Sequence, residues 1–121
     1  MKKREDIAPL CSGVETHDEL IEAVKDKLPC DEELYSLSDF FKVFGDPTRL
    51  NILCALEERA MCGCDLSALL GMSKAAVSYQ LKMLRQNDLV RYKKQGKNVI
   101  YELSDGHVRA IIECALEHIR E

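Results

Sequence analysis

Along most of this chain the apolar residues recur at helical spacing, and in one short region they alternate as in strands. Over residues 17–28, Leu20, Ile21, Val24 and Leu28 share a helical face, and Pro29 ends the run. The pattern returns from Asp31 to about Phe44 with Leu34, Leu37, Phe40, Phe41 and Phe44, and Gly45 stops it. Asp46 reads as an N-cap with Pro47 in the first turn of a third helix, whose buried side is Leu50, Ile52, Leu53 and Leu56. Residues 65–70 predict a short helix, Gly71 and Met72 a turn, and Ser73 the cap of a helix to about Gln86 with Val77, Leu81 and Leu84 inward. A short helix, a tight glycine turn and a second helix make a helix-turn-helix. Two β-like runs, 89–94 and 98–103, joined across Gln95, Gly96 and Lys97, form a hairpin wing, and a last striped helix begins near Asp105. Residues 1–16, polar with Pro9 and Gly13, read as a flexible arm. The expected architecture is therefore mostly α with a β-hairpin wing, a winged helix-turn-helix: an arm over 1–16, then one winged-helix domain over 17–121.

Length and charge sharpen this picture. At 121 residues the chain has room for one modest core, which dimerisation would extend. It contains no apolar run of membrane length, and Met1-Lys2-Lys3-Arg4 leads into Glu5 and Asp6 rather than a signal-peptide core, so a cytoplasmic protein is expected. The net charge of −4 argues against a nucleic-acid partner until its distribution is read. Between Gly71 and Ile100 stand seven basic residues (Lys74, Lys82, Arg85, Arg91, Lys93, Lys94 and Lys97) against one acid, Asp88; that net +6 leaves −10 for the remainder. A basic segment on an acidic body is the footprint of a protein that turns one face to phosphates. Projection at helical pitch puts Ala75, Ser78, Tyr79 and Lys82 on or near the outer side of the second motif helix, with Lys74 near its start. These are the base- and phosphate-reading candidates. Arg91, Lys93, Lys94 and Lys97 on the wing are candidates for backbone contacts that carry no sequence information.

The C-terminal helix carries chemistry of another kind. Asp105 and His107 stand at its start and His118 and Glu121 at its end, a set of carboxylates and imidazoles that suits Zn(II). Eleven residues of helix separate the two histidines by roughly 16 Å, whereas zinc needs its ligands about 2 Å away. One chain cannot close such a site. Two copies of the helix packed antiparallel would bring Asp105 and His107 of one beside His118 and Glu121 of the other, twice by symmetry, so the spacing predicts a homodimer. His107, Ile111, Cys114, His118 and Glu121 form the stripe expected at that seam.

Six cysteines in a chain with no secretory segment point to thiolate chemistry rather than a disulfide framework. Cys62-Gly63-Cys64 stands where the helix-turn-helix begins, and emerging backbone N–H groups favour thiolate there. Gly63 supplies the irregular turn that lets both sulfurs address one ion. Two thiolates are too few, and Cys11 on the arm is the candidate third ligand, with Cys30 or His17 as the fourth. A sulfur-rich set prefers thiophilic ions such as Cd(II), Pb(II) or trivalent arsenic, although Zn(II) also accepts it. Cys54 reads as a small core residue and Cys114 as a packing residue at the seam.

With these residues assembled, the chain resembles the ArsR/SmtB family of metal-sensing winged-helix repressors. The resemblance covers about residues 17–121 and rests on Phe44-Gly45-Asp46-Pro47-Thr48-Arg49-Leu50, the Met61-Cys62-Gly63-Cys64-Asp65-Leu66 box, Val77-Ser78-Tyr79-Gln80-Leu81, and Asp105-x-His107 with His118-x-x-Glu121. It implies a homodimer, formed through N- and C-terminal helices, that holds a palindromic double-stranded operator when metal-free. Metal binding then releases genes for efflux or sequestration. It also implies two sites, one of thiolates at the CxC box and one on the C-terminal helix. Tyr79 stands where the family commonly has His, and Ala75 where it commonly has a small polar residue. Alternatives of the same fold are a trivalent arsenic sensor and a thiol or persulfide redox sensor. A metal-storage protein, which would have no use for the basic wing, and a thiol oxidoreductase, which lacks a β-α-β frame, are the readings outside transcription.

Overall fold

The computed structural model describes residues 7–13 and 16–121, so part of the arm expected over 1–16 lies outside the described residues. Its elements in chain order are α1 (Asp18–Lys25), α2 (Asp31–Phe44), α3 (Pro47–Glu58), β1 (Met61–Cys62), α4 (Gly63–Leu70), α5 (Lys74–Gln86), β2 (Val90–Gln95), β3 (Asn98–Leu103) and α6 (Gly106–Ile119). The chain parts into two compact units, with the boundary between Ser36 and Leu37.

In the first unit, α1 is shorter than its periodicity suggests. Lys27 and Leu28 both donate backbone N–H bonds to the Val24 carbonyl, which closes the helix into a turn ahead of Pro29. His17 is the N-cap of α1, without a side-chain capping bond. The helix buries no residue: Leu20, Ile21, Val24 and Leu28 all stand exposed, as do Leu34 and Tyr35 on α2.

The second unit holds the core. Ile52, Leu53 and Leu56 of α3 meet Leu66 of α4, Val77, Leu81 and Leu84 of α5, Leu89, Val90 and Leu103 of the hairpin, and Val108 and Ile112 of α6. Each large side chain buried this completely contributes about 2 kcal/mol. The C-terminal part of α2 adds Phe44, with Phe40 and Val43 half-buried beside it. The expected apolar faces need two corrections. Leu50 is exposed at the edge of the α3 face, about 60° around the helix from buried Leu53, and Leu37 and Phe41 of α2 are exposed although Leu37 stands seven residues before buried Phe44.

Local chemistry sets the motif boundaries. The Asp46 carboxylate accepts the Arg49 backbone N–H at 3.0 Å and starts α3 with Pro47 in its first turn. Ser73 caps α5 through the Ala76 N–H at 3.1 Å. Between α4 and α5, Gly71 adopts φ 64°, ψ 32°, a left-handed turn that residues with a Cβ enter at a cost.

The wing is three-stranded, in the order β1-β3-β2 and antiparallel throughout. The added strand is Met61–Cys62, paired Met61 with Tyr101 and Cys62 with Ile100. The hairpin register runs from Val90 opposite Leu103 to Gln95 opposite Asn98, and Gly96 turns it at φ 62°. Where α5 meets β2, Asp88 takes φ 58°. The Ser104 hydroxyl donates to the Asp88 carbonyl at 2.6 Å and the Ser104 N–H to the Leu89 carbonyl at 3.0 Å, fastening that corner to the start of α6. The Arg109 guanidinium of α6 donates to the Glu57 carbonyl at the C-terminal end of α3.

Candidate functional site

With Val77, Leu81 and Leu84 turned into the core, α5 has a defined outer side. Lys74, Ala75, Ser78, Tyr79 and Lys82 are all exposed on it, as the helical projection expects. Tyr79, the one aromatic side chain of α5, keeps 59% of its surface accessible. Arg85, one turn beyond Lys82, lies over the Tyr92 ring at 5.2 Å, so that cation binds the hairpin to α5 rather than standing free.

Arg91, Lys93, Lys94 and Lys97 are exposed on the hairpin. Two of them differ from the simple picture of a basic wing. Glu102, directly across from Arg91, receives Arg91 Nε at 3.0 Å and Lys93 Nζ at 3.1 Å on one carboxylate oxygen. Lys93 first and Arg91 second hold the Glu102 carboxyl below the usual range, so it stays ionised between them. The strand register carries the signal: with a turn at Gly96 and Lys97, counting outward from the turn places Glu102 opposite Arg91.

The Cys62-Gly63-Cys64 turn sits where β1 passes into α4. Cys62 is the N-cap of α4 in extended backbone (φ −80°, ψ 165°), and its sulfur accepts the Asp65 N–H at 3.4 Å while the Asp65 carboxylate accepts the Cys62 N–H at 3.4 Å. This reciprocal pair is a capping box in which a thiol replaces the usual hydroxyl. Both cysteines line one open cleft of about 300 Å³ with Lys74 and Ser78 of α5 and Lys97 and Asn98 of the wing. The thiol pair therefore stands beside the DNA-facing candidates. Asn98 is a lining residue that sequence patterning did not single out. Cys11, His17 and Cys30, the candidate further ligands, are exposed and belong to the first unit.

On α6 the two ends carry separate pairs of candidate ligands. Asp105 is the N-cap: its Oδ1 accepts the N–H groups of His107 at 2.9 Å and Val108 at 3.1 Å, and its Oδ2 lies 3.6 Å from His107 Nδ1. The Val108 N–H, then that of His107, holds the Asp105 carboxyl below its ordinary range. At the other end His118 Nδ1 lies 4.0 Å from Glu121 Oε2. The helix closes at Ile119, so Glu121 reaches His118 from beyond the last turn rather than along a helical face. His107, Cys114 and His118 are exposed, and Ile111 of the expected seam is half-buried against the core. Among the described residues no three His, Cys, Asp or Glu side chains converge to hold an ion. The donor chemistry fits a metal in halves: a carboxylate with an imidazole at each end of α6, and two thiols in one cleft. Also among the described residues, no helix is long and apolar enough to cross a membrane.

Comparison with known proteins agrees with this construction. Residues 46–92 match the bacterial regulatory protein, arsR family. The chain is 35% identical to a transcriptional repressor SmtB homolog from Synechocystis sp. over 93% of its own length and 86% of that protein. It is 31% identical to a cadmium resistance transcriptional regulatory protein CadC homolog from Staphylococcus aureus, over 93% of each. The crystal structure of the AntR antimony-specific transcriptional repressor superposes with a TM-score of 0.68 at 30% identity, covering 94% of this chain and 96% of that one. The helix-turn-helix, the wing and these relatives lead to one conclusion: the chain belongs to the ArsR/SmtB family of DNA-binding winged helix-turn-helix transcriptional regulators, which are not enzymes.

Proposed function

We propose that this protein is a metal-responsive repressor that holds palindromic operator DNA as a metal-free homodimer. Binding of Zn(II), Cd(II) or Pb(II) makes it dissociate, which derepresses genes for efflux or sequestration. The observation that carries the reading is the pair of half-sites on α6, Asp105 with His107 and His118 with Glu121, separated by the length of the helix. Exposed half-sites at opposite ends of one helix would be completed by an antiparallel second copy. The SmtB and CadC names of the relatives support a metal as the effector.

The ligands assigned to the inter-subunit site are Asp105, His107, His118 and Glu121. The thiolate site takes Cys62 and Cys64, with Cys11 and either Cys30 or His17 as further donors. A bound divalent ion would supply a fixed cationic centre that favours deprotonated ligands. The chain's own contribution is to present those ligands on elements that also carry the DNA contacts: Lys74, Ala75, Ser78, Tyr79 and Lys82 on α5, and Arg91, Lys93, Lys94 and Lys97 on the wing. A hundredfold loss of operator affinity needs only about 2.7 kcal/mol of difference in metal binding between the free and DNA-bound forms.

The test is operator-fragment anisotropy on the reduced, metal-free protein, titrated separately with zinc and cadmium. Wild type is compared with Cys62→Ser/Cys64→Ser and with His107→Ala/His118→Ala. Loss of response in the thiol variant alone assigns control to the CxC cleft, and loss in the histidine variant alone assigns it to α6. Retained release in both sinks the proposed sites. A second reading, a sensor of trivalent arsenic or of thiol oxidation and persulfidation, is favoured by the two thiols sharing a cleft and by the likeness to AntR. Release by arsenite, or by polysulfide without metal, would select it.

A further inference from the structure

We propose that Tyr92 is a positioning residue for DNA binding: through Arg85 of α5 and Tyr101 of β3 its ring fixes the angle at which the wing stands against the recognition helix. The inference rests on the reading of α5 and the wing as the elements that meet DNA, and it assigns no further DNA contact to either.

The hairpin is anchored at its root, where Val90 and Leu103 pair with both side chains in the core. Tyr92 and Tyr101 are the next cross-strand pair on the same face, since successive side chains alternate. Their rings lie 5.9 Å apart at 53°, and the Arg85 guanidinium carbon stands 5.2 Å from the Tyr92 centroid. Arg85 belongs to the last turn of α5, and among the described residues no ion pair includes it. The ring is therefore the partner that the fold gives this cation. Tyr101 packs against the core, whereas Tyr92 keeps 44% of its surface accessible, so the stack lies at the core's edge.

A hairpin held only at its root is free to flap about it. The contact between Arg85 and Tyr92 is a second point of attachment, made by the recognition helix itself. From Tyr92 to the turn at Gly96 the chain runs four residues, about 13 Å at strand rise. On a lever of that length a tilt of about 10° moves the tip by about 2 Å, enough to break a contact made at about 3 Å. Lys94 and Lys97, the wing cations that Glu102 does not hold, both lie on it. Without the stack, binding must first bring the wing back to its angle, and that cost is bounded by what the stack contributed.

The test uses the reduced, metal-free protein and fluorescence anisotropy of a short duplex at low salt. Tyr92→Leu keeps apolar bulk and removes the π face. It should bind roughly three- to fivefold more weakly than wild type, the worth of one partly exposed cation–π contact. Tyr92→Trp restores a ring that attracts guanidinium and should bind within about twofold of wild type. Arg85→Gln should weaken binding as Tyr92→Leu does, and adding it to Tyr92→Leu should cost nothing more. A cation that instead met a phosphate would lower affinity in either background and reduce the salt slope by about 0.9. The chain has no tryptophan, so the emission of the Tyr92→Trp protein without DNA reports the stack directly and should change when Arg85→Gln is added. Wild-type binding by Tyr92→Leu, additive losses, or an emission indifferent to Arg85→Gln would overturn the proposal. Circular dichroism checks folding, and Arg85→Gln, at an exposed position, carries the test should Tyr92→Leu unfold. Unchanged affinity in Lys94→Ala/Lys97→Ala would remove the reading of the wing as a DNA contact. Weaker binding there, with full binding by Tyr92→Leu, overturns the positioning role alone.

Discussion

Neutralising Glu102 should make DNA binding stronger and more sensitive to salt. Its carboxylate holds both Arg91 and Lys93 on one oxygen, at 3.0 and 3.1 Å, so two of the wing's four cations share a fixed internal counterion. Glu102→Gln keeps a hydrogen-bond acceptor opposite Arg91 while removing one negative charge, and the hairpin register, set by backbone pairing and the Gly96 turn, does not depend on that charge. One additional effective cation on the wing corresponds to about one further phosphate neutralised. The slope of log affinity against log salt should then steepen by about 0.9. Between about 50 and about 200 mM salt, that change multiplies the variant's loss of affinity by roughly 3.5-fold relative to wild type. Fluorescence anisotropy of a short duplex across this range, on metal-free protein, measures both slopes. The duplex sequence is immaterial for a backbone contact. If the two slopes coincide, or that of Glu102→Gln is shallower, Arg91 and Lys93 do not reach the phosphates and the wing contacts belong to Lys94 and Lys97 alone.

Two further predictions concern stability. Cys62→Ala should destabilise the metal-free fold by about 1 kcal/mol in urea denaturation, because it removes the α4 cap, whereas Cys62→Ser restores an acceptor and should fall nearer wild type. In the α3–α6 cleft, desolvation first and then the hydrogen-bonded Glu113 carboxyl beside it raise the Glu57 carboxyl above its ordinary range. A raised folded-state value means that the native state holds its proton more tightly. Glu57 therefore favours folding at acid pH and loses that contribution as pH rises through the raised value. Glu57→Gln should melt higher than wild type near neutral pH, with the advantage fading as pH falls toward the normal glutamate range; an advantage independent of pH would remove the protonation argument.

Much of this fold is legible in the sequence because its boundaries are local. Asp46 with Pro47, Gly71 and Ser73 each act within a few residues of themselves, and each falls where its chemistry predicts. The elements that escape are those created by distant partners. Met61–Cys62 is too short to show a period and becomes a strand only because Tyr101 and Ile100 lie beside it. Glu102 lies outside the basic stretch in sequence and enters it through cross-strand pairing. Leu20, Ile21, Val24 and Leu28 have the spacing of a buried face and are exposed, since periodicity reports that a face is apolar and not what covers it. At the candidate sites, residue types and spacing place an acid beside an imidazole at each end of α6, but the shared cleft of Cys62, Cys64, Lys74 and Lys97 requires the fold, because β3 and the wing tip reach the cysteine turn from more than thirty residues away in sequence.

The corner at Asp88 has a mechanical consequence. The Leu89 N–H returns to the Leu84 carbonyl at 3.0 Å, Ser104 grips the Asp88 and Leu89 carbonyls, and Asp105 immediately caps α6. The end of the recognition helix, the root of both hairpin strands and the pivot of α6 are consequently welded at one joint. Torque applied along α6 cannot tilt the wing while leaving α5 behind. It carries α5 and the wing, the two elements proposed to contact DNA, together, so a small rotation of α6 should reach both at once.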